Sequence, residues 1–296
     1  MSTGTSTYIC RYCRQASDPS AVTCPLCGAK VDVRSVVSDS GWSEQPAIRD
    51  MARIQFGQST CQIEGTMVPS ADFGLAAGDW IFFSHHNLLW VEPSVQMQAM
   101  KMGGGWNRRL AGIPLVMLQA AGPGHVALSD DHPGEVIALP LAHGQSIMVR
   151  EHRFLVGTSA ITYDWHNSGV WFCTGTGDDK EYHHPLGQFV DRFSAQGGPG
   201  LMLLHSPGNT FIRDLAPNQS VLLQPTSLLY WDTSVRLQIH FEYPRALTSM
   251  STSLYSYRTL WLRATGPGRI AMQSVFERPE SSQRVTSSSG ATSQSW

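Results

Sequence analysis

Three stretches decide the fold: Leu75–Met97 (LAAGDWIFFSHHNLLWVEPSVQM), Leu141–Tyr163 (LAHGQSIMVREHRFLVGTSAITY) and Leu215–Leu237 (LAPNQSVLLQPTSLLYWDTSVRL). They align without gaps. Gly78, Gly144 and Asn218 share a column, and Gly and Asn are the residues that accept a left-handed turn. Ile81, Ile147 and Val221 follow, each opening an apolar run that predicts a short strand. A polar turn comes next: Ser84–Asn87, Arg150–Arg153 and Gln224–Ser227. A second apolar group then begins at Leu88, Phe154 and Leu228, and Val95, Ile161 and Val235 share a later column. Each unit reads strand, turn, strand, turn, strand. One copy cannot bury both of its faces, so three are expected to pack into one core with Ile81, Ile147 and Val221 in equivalent buried places.

A second motif recurs beside the first. Leu118–Leu128 (LQAAGPGHVAL) and Leu262–Met272 (LRATGPGRIAM) are pairs of apolar strands joined by Gly-Pro-Gly, a tight hairpin-like connection. Leu201–Ile212, with Ser206-Pro207-Gly208, reads as a weaker third copy. The fold class that follows is all-β: a sandwich-like β domain built from three internal repeats. The sole helix-like stretch, Tyr182–Phe193, is weakened by Pro185 and Gly187.

Ahead of the repeats, Cys10-Arg11-Tyr12-Cys13 and Cys24-Pro25-Leu26-Cys27 are two Cys-x2-Cys knuckles. Thiolates at that spacing suit the tetrahedral preference of Zn²⁺, and Gly28 suits the turn after the second pair. The chain is therefore expected to open with a small zinc ribbon, a structural Zn²⁺ held by Cys10, Cys13, Cys24 and Cys27. Four protein thiolates leave no open coordination position for metal-bound water. The expected organisation is ribbon 1–33, linker 34–50, β domain 51–277 and a disordered Ser/Thr-rich tail 278–296.

Composition narrows the function. The net charge is -2, so no global field favours nucleic acid, and Arg11, Arg14 and Lys30 on the ribbon are too few to form a strong basic patch. Cys61 and Cys173 stand alone, unlike a secreted disulfide framework. The polar start Met1–Thr7 lacks a signal-peptide pattern, and no apolar run reaches the ~18 residues of a membrane span. A cytoplasmic location is the simplest expectation. No nucleophile elbow or dinucleotide fingerprint occurs. Gly103–Gly105, with Arg108 and Arg109 near, reads as a flexible turn before it reads as a phosphate cradle.

Histidines supply the competing reading. His85, His86 and His152 fall in equivalent turns, and His183 and His184 form another pair. A cupin-like metalloenzyme would use them, yet adjacent residues on extended chain point to opposite sides. Trp80, Trp90, Trp231 and Trp261 lie inside repeat strands and read as core. Trp106, Trp165 and Trp171 lie near turns, where an interface could use them.

Leu260–Ser274, the cluster Gly103-Gly104-Gly105-Trp106, and Phe154-Leu155-Val156-Gly157 followed by Ile161 carry a family resemblance. The chain resembles the family related to Altered Inheritance of Mitochondria protein twenty-four, which is similar in fold to the tryptophan RNA-binding attenuation protein. Gly65-Thr66-Met67-Val68-Pro69 matches the opening turn of that family only loosely. The repeat, the closed zinc site and the missing catalytic motifs point to a non-enzymatic, self-assembling scaffold or protein-binding protein with no catalytic residues, and the resemblance implies in addition oligomer formation and a link to membrane or large-complex organisation. Expected partners are a second copy of the chain and a further protein, with peripheral membrane contact left open. A nucleic-acid-binding protein using the ribbon and β domain is the alternative that the attenuation-protein fold implies.

Overall fold

The turn column sets the frame of each repeat. In all three the backbone N–H four residues into the unit donates to the carbonyl three residues earlier: Asp79 to Ala76, Gln145 to Ala142 and Gln219 to Ala216. The residue before each donor lies at positive φ, namely Gly78 (91°), Gly144 (81°) and Asn218 (64°). With Pro217 at the second position this is the arrangement of a type II turn. The side chains of Gln145 and Gln219 then accept from the amides of Ala142 and Ala216.

The structure, a computed structural model, describes residues 8–10, 12–17, 21, 23–29, 40–45, 53–100, 117–174, 179–242 and 259–276. The opening strands are β1 (Tyr8–Ile9), β2 (Ala16–Ser17), β3 (Ser43–Gln45), β4 (Arg53–Phe56) and β5 (Ser59–Glu64). The first repeat supplies β6 (Ser70–Leu75), β7 (Trp80–Ser84), β8 (Leu88–Val91), β9 (Gln96–Ala99), β10 (Met117–Ala121) and β11 (Gly124–Ser129). The second supplies β12 (Glu135–Leu141), β13 (Ser146–Arg150), β14 (Phe154–Thr158) and β15 (Ile161–Asn167). An inserted hairpin follows, β16 (Phe172–Thr174) and β17 (Glu181–His183), and then β18 (Phe189–Ala195) and β19 (Gly200–Ser206). The third supplies β20 (Thr210–Leu215), β21 (Ser220–Leu223), β22 (Leu228–Asp232), β23 (Arg236–Glu242), β24 (Thr259–Thr265) and β25 (Gly268–Gln273). Single 3-10 turns, His85–Asn87 and Pro225–Ser227, occupy the polar turns of repeats one and three. The described residues contain no α-helix, so the fold is all-β, and Tyr182–Phe193 is strand and loop.

These residues fall into two compact units, one within 1–146, 152–164 and 193–211, the other within 147–151, 165–192 and 212–296. In the first, antiparallel sheets run β12-β19-β14-β7-β10-β9 and β4-β5-β6-β11-β8. In the second, the orders are β18-β13-β22-β25-β20 and β21-β24-β23, with the β16-β17 hairpin.

Within each repeat the opening strand pairs with the closing one, Leu75 opposite Gly124 and Leu141 opposite Gly200. Between repeats, β7 pairs with β14 (Phe82 opposite Gly157), and β13 pairs with β22 (Met148 opposite Trp231). All three repeats carry a β-bulge at the same column, where the register slips between Leu88 and Trp90, Phe154 and Val156, and Leu228 and Tyr230. A shared irregularity is stronger support for a repeat than shared apolar residues, because a bulge re-aims the strand and is not a default of sheet geometry.

The register corrects the third Gly-Pro-Gly copy. Gly200 opposes Leu141 as Gly124 opposes Leu75. The amide of Ala195 donates to the carbonyl of Gln145 as Gly122 does to Asp79 and Gly266 to Gln219. The true counterpart is thus Ala195 to Gly200, where four residues, including Gly198 and Pro199, replace the lone Pro123 or Pro267. Ser206-Pro207-Gly208 is instead the connection from β19 to β20.

Burial follows the columns with two exceptions. Ile81, Phe83, Ile147, Val149 and Leu223 are buried, but Val221 is only half-buried. Trp231 is buried, Trp80 and Trp261 are half-buried, and Trp90 is 43% exposed, so Trp90 is not a core residue. Val221 and Trp90 belong to β21 and β8, each of which has one sheet neighbour. Trp165 and Trp171 are half-buried, Trp165 edge-on to Phe189 at 4.8 Å. Gly103–Gly105, Trp106, Arg108, Arg109, Arg11, Lys30 and the tail 278–296 lie outside the described residues.

Candidate metal centre

Both knuckles are built alike. In the first, Cys10 N–H donates to Gln15 O (2.8 Å) and Arg14 N–H to Cys10 O (2.7 Å). In the second, Cys24 N–H donates to Ala29 O (2.7 Å) and Gly28 N–H to Cys24 O (2.9 Å). The residue after each second cysteine is left-handed: Arg14 at φ 60° and Gly28 at φ 69°. Gly28 announces that turn in the sequence; Arg14 does not, because a long side chain seldom adopts it. The β1-β2 hairpin supports the first knuckle.

The four sulfur atoms all lie within 4.8 Å of one another, with Cys10 and Cys27 at 3.6 Å and Cys13 and Cys24 at 3.5 Å. Ligands about 2.3 Å from a tetrahedral zinc stand roughly 3.8 Å apart, so the group fits a single ion. Cys10, Cys24 and Cys27 are buried, in one cluster with Ala29, Ile54, Cys61 and Phe73. Hydrogen bonds from the Cys13 and Cys27 thiols hold Cys10 well below the usual thiol range, and the same contacts with Cys10 push Cys13 and Cys27 up. With no cation among them the four thiols share protons, and a bound Zn²⁺ would take all four as thiolates. Cys61 is fully buried, and its thiol is pushed up by desolvation and then by the Asp72 charge, as expected of an inert core thiol.

The histidines do not gather. The rings of His85 and His86 meet at 3.7 Å between centroids, tilted by 43°, and both residues are exposed, with no third ligand-type side chain grouped with them among the described residues. His183 stacks on Phe172 at 4.7 Å. Among the described residues the other group of metal-ligating type is Asp130, Asp131 and His132, largely at the surface. No motif announces an open cleft of about 430 Å³ in the second unit, bordered by Met148, His166, Arg192, Trp231 and Arg236.

His205 also escaped the sequence reading. It is 1% exposed, with Nδ1 3.5 Å from Asp130 Oδ2. Burial pushes its pKa below the ordinary 6.5, against the opposing pull of Asp130. The unfolded chain therefore binds a proton here more readily than the folded one. Stability from this group is present above pH 6.5 and is lost as pH falls from there through the folded value. His205→Gln is expected to flatten that part of the pH–stability curve; an unchanged slope in denaturant titrations at pH 7 and pH 5.5 would refute the assignment.

Comparison with known proteins bears on the β domain. A crystal structure of a Streptococcus pyogenes protein from a structural genomics programme matches with a TM-score of 0.50 at 17% identity, covering 74% of this chain and 94% of that one. This likeness supports the fold alone. Comparison with curated proteins gives no match. No helix among the described residues is long and apolar enough to cross a membrane. The model of the family described as "Mitochondrial biogenesis AIM24" matches residues 61–275, from β5 to just past β25. With all three repeats inside that match, the chain belongs to the AIM24 family.

Proposed function

We propose that this chain acts by assembling, with itself and with a protein partner, and that it turns over no substrate. The carrying observation is an apolar surface on β8. Leu89 is 59% and Trp90 43% exposed, while their counterparts Leu155, Val156, Leu229 and Tyr230 are all buried. Large apolar side chains left out of a core mark interaction sites. The metal centre fits the same reading. A Zn²⁺ on Cys10, Cys13, Cys24 and Cys27 would be saturated by protein thiolates and would serve structure, holding the ribbon together. Free Cys61 and Cys173 suit a reducing, cytoplasmic setting. The family description adds a tie to mitochondrial biogenesis, consistent with a scaffold role near a membrane or large complex.

Native mass spectrometry with sedimentation over a wide concentration range tests this. The expected result is a homo-oligomer with one zinc per chain. A particle that stays at 32.5 kDa throughout, and retains no partner, would overturn the assembly reading.

A further inference from the structure

Four neighbouring strands border the open cleft of the second unit. The sheet order β15-β18-β13-β22 brings His166, Arg192, Met148 and Trp231 to its rim, and the start of β23 adds Arg236 and Leu237. All six residues lie within that one compact unit. At about 430 Å³ the opening falls within the roughly 300–1,000 Å³ typical of small-molecule sites.

Its charge is one-sided. Two arginines border the cleft, and no aspartate or glutamate does. Elsewhere in the same unit a half-buried arginine is matched inside the fold: Arg269 donates to Asp214 at 2.9 Å and 3.1 Å. Arg192 is half-buried too, yet its buried Nε meets no acceptor. Neither Arg192 nor Arg236 is ion-paired among the described residues. A half-buried guanidinium with no counter-charge costs free energy, and an anion in the cleft would remove that cost.

We infer that this cleft binds a small organic phosphate, its head held by Arg192 and Arg236 and its apolar body resting on Met148 and Leu237. Guanidinium forks match the oxygens of a phosphate bidentately. A phosphate monoester carries about -1.5 to -2 charges at neutral pH, which balances two guanidiniums. A carboxylate or a phosphodiester carries only one. Met148 and Leu237 are half-buried, so each keeps an apolar side open to the cleft. A soluble phosphate ester and a phosphatidate headgroup share this chemistry. The site is independent of the assembly reading, which stands or falls on its own test.

Calorimetric titration of the full chain tests it, with phenyl phosphate, inorganic phosphate and benzoate as probes. Phenyl phosphate is expected to bind once per chain, and more tightly than either of the other two. Arg236→Gln, at an exposed position, is expected to weaken it by roughly tenfold or more, the scale of lost charge-assisted hydrogen bonds. Arg192→Met is expected to lose binding and yet to melt no lower than the parent without ligand, because it removes an unpaired charge. That pairing of results separates a binding arginine from a structural one. Arg53→Gln, in the first unit, is the control and should bind as the parent does. Sedimentation with phosphatidylcholine vesicles, with and without phosphatidate, distinguishes the two sources. Retention by the phosphatidate vesicles that Arg236→Gln abolishes assigns a lipid headgroup. Binding of phenyl phosphate without vesicle retention assigns a soluble ester. The inference is overturned if no probe binds, if benzoate binds as tightly as phenyl phosphate, or if Arg236→Gln and Arg192→Met bind as the parent does.

Discussion

Cys24→Ser is expected to abolish metal binding and to unfold the ribbon, while the β sheets keep their own melting transition. The four sulfurs fit one ion, and apparent binding energies of about 10–16 kcal/mol at neutral pH are typical where such a site and its fold form together. Removing one of four thiolates leaves neither the charge nor the geometry that the ion requires. The first unit should lose a little stability as well, because Ala29 and Cys27 belong to its buried cluster. Metal analysis of purified protein decides the matter. One zinc per chain is expected in the parent and in a Cys173→Ser control, and none in Cys24→Ser; equal zinc in Cys24→Ser and the parent would dismiss the site.

Gly122→Ala and Gly266→Ala are expected to be among the most damaging single-methyl changes in the β domain. A Cβ on Gly122 would stand 2.4 Å from Ala76 O and 2.7 Å from Leu75 O; on Gly266, 2.5 Å from Ala216 O and 2.8 Å from Leu215 O. These are backbone atoms of the turn that opens each repeat, so no side-chain rotation relieves the overlap. A cost of about 2–4 kcal/mol each is expected, on the scale of overpacking combined with backbone displacement. Gly144→Ala is the informative control. It has φ +81° but nothing within 4 Å of the added carbon, so it carries only left-handed strain of about 1–2 kcal/mol. Thermal melts showing Gly122→Ala no worse than Gly144→Ala would mean that the close approach of the two turns is not what the glycine serves.

Some of this was legible in the residues, and the boundary has physical causes. Gly78, Gly144 and Asn218 announce their turns because few residue types tolerate that backbone. The two Cys-x2-Cys pairs announce that four thiols meet, because ligand spacing is local. The bulge at Leu89, Leu155 and Leu229 has no local signature; it shows only when two strands far apart in sequence are laid side by side. The third Gly-Pro-Gly counterpart hides from a gapless match because its turn carries four residues where the others carry one, although the register on either side is unchanged. The column of Trp90 reads as core, but a column reports backbone place, not whether a neighbouring strand is there to cover it. His205 and Asp130 meet across a long separation in sequence that no motif spans.

The pairing of each opening strand with its closing one also governs how the chain comes off the ribosome. β20 and β22 both take β25 as a neighbour, so neither can complete its ladder until β25 has left the exit tunnel. Until then the apolar faces of Ile212, Leu229 and Tyr230, buried in the finished fold, depend on chaperones or on transient contacts. A premature stop just before Gly268 would remove only the last tenth of the chain, yet it would strip two upstream strands of a neighbour at once. Nonsense changes near that point should therefore yield aggregated or degraded product, not a slightly shortened protein.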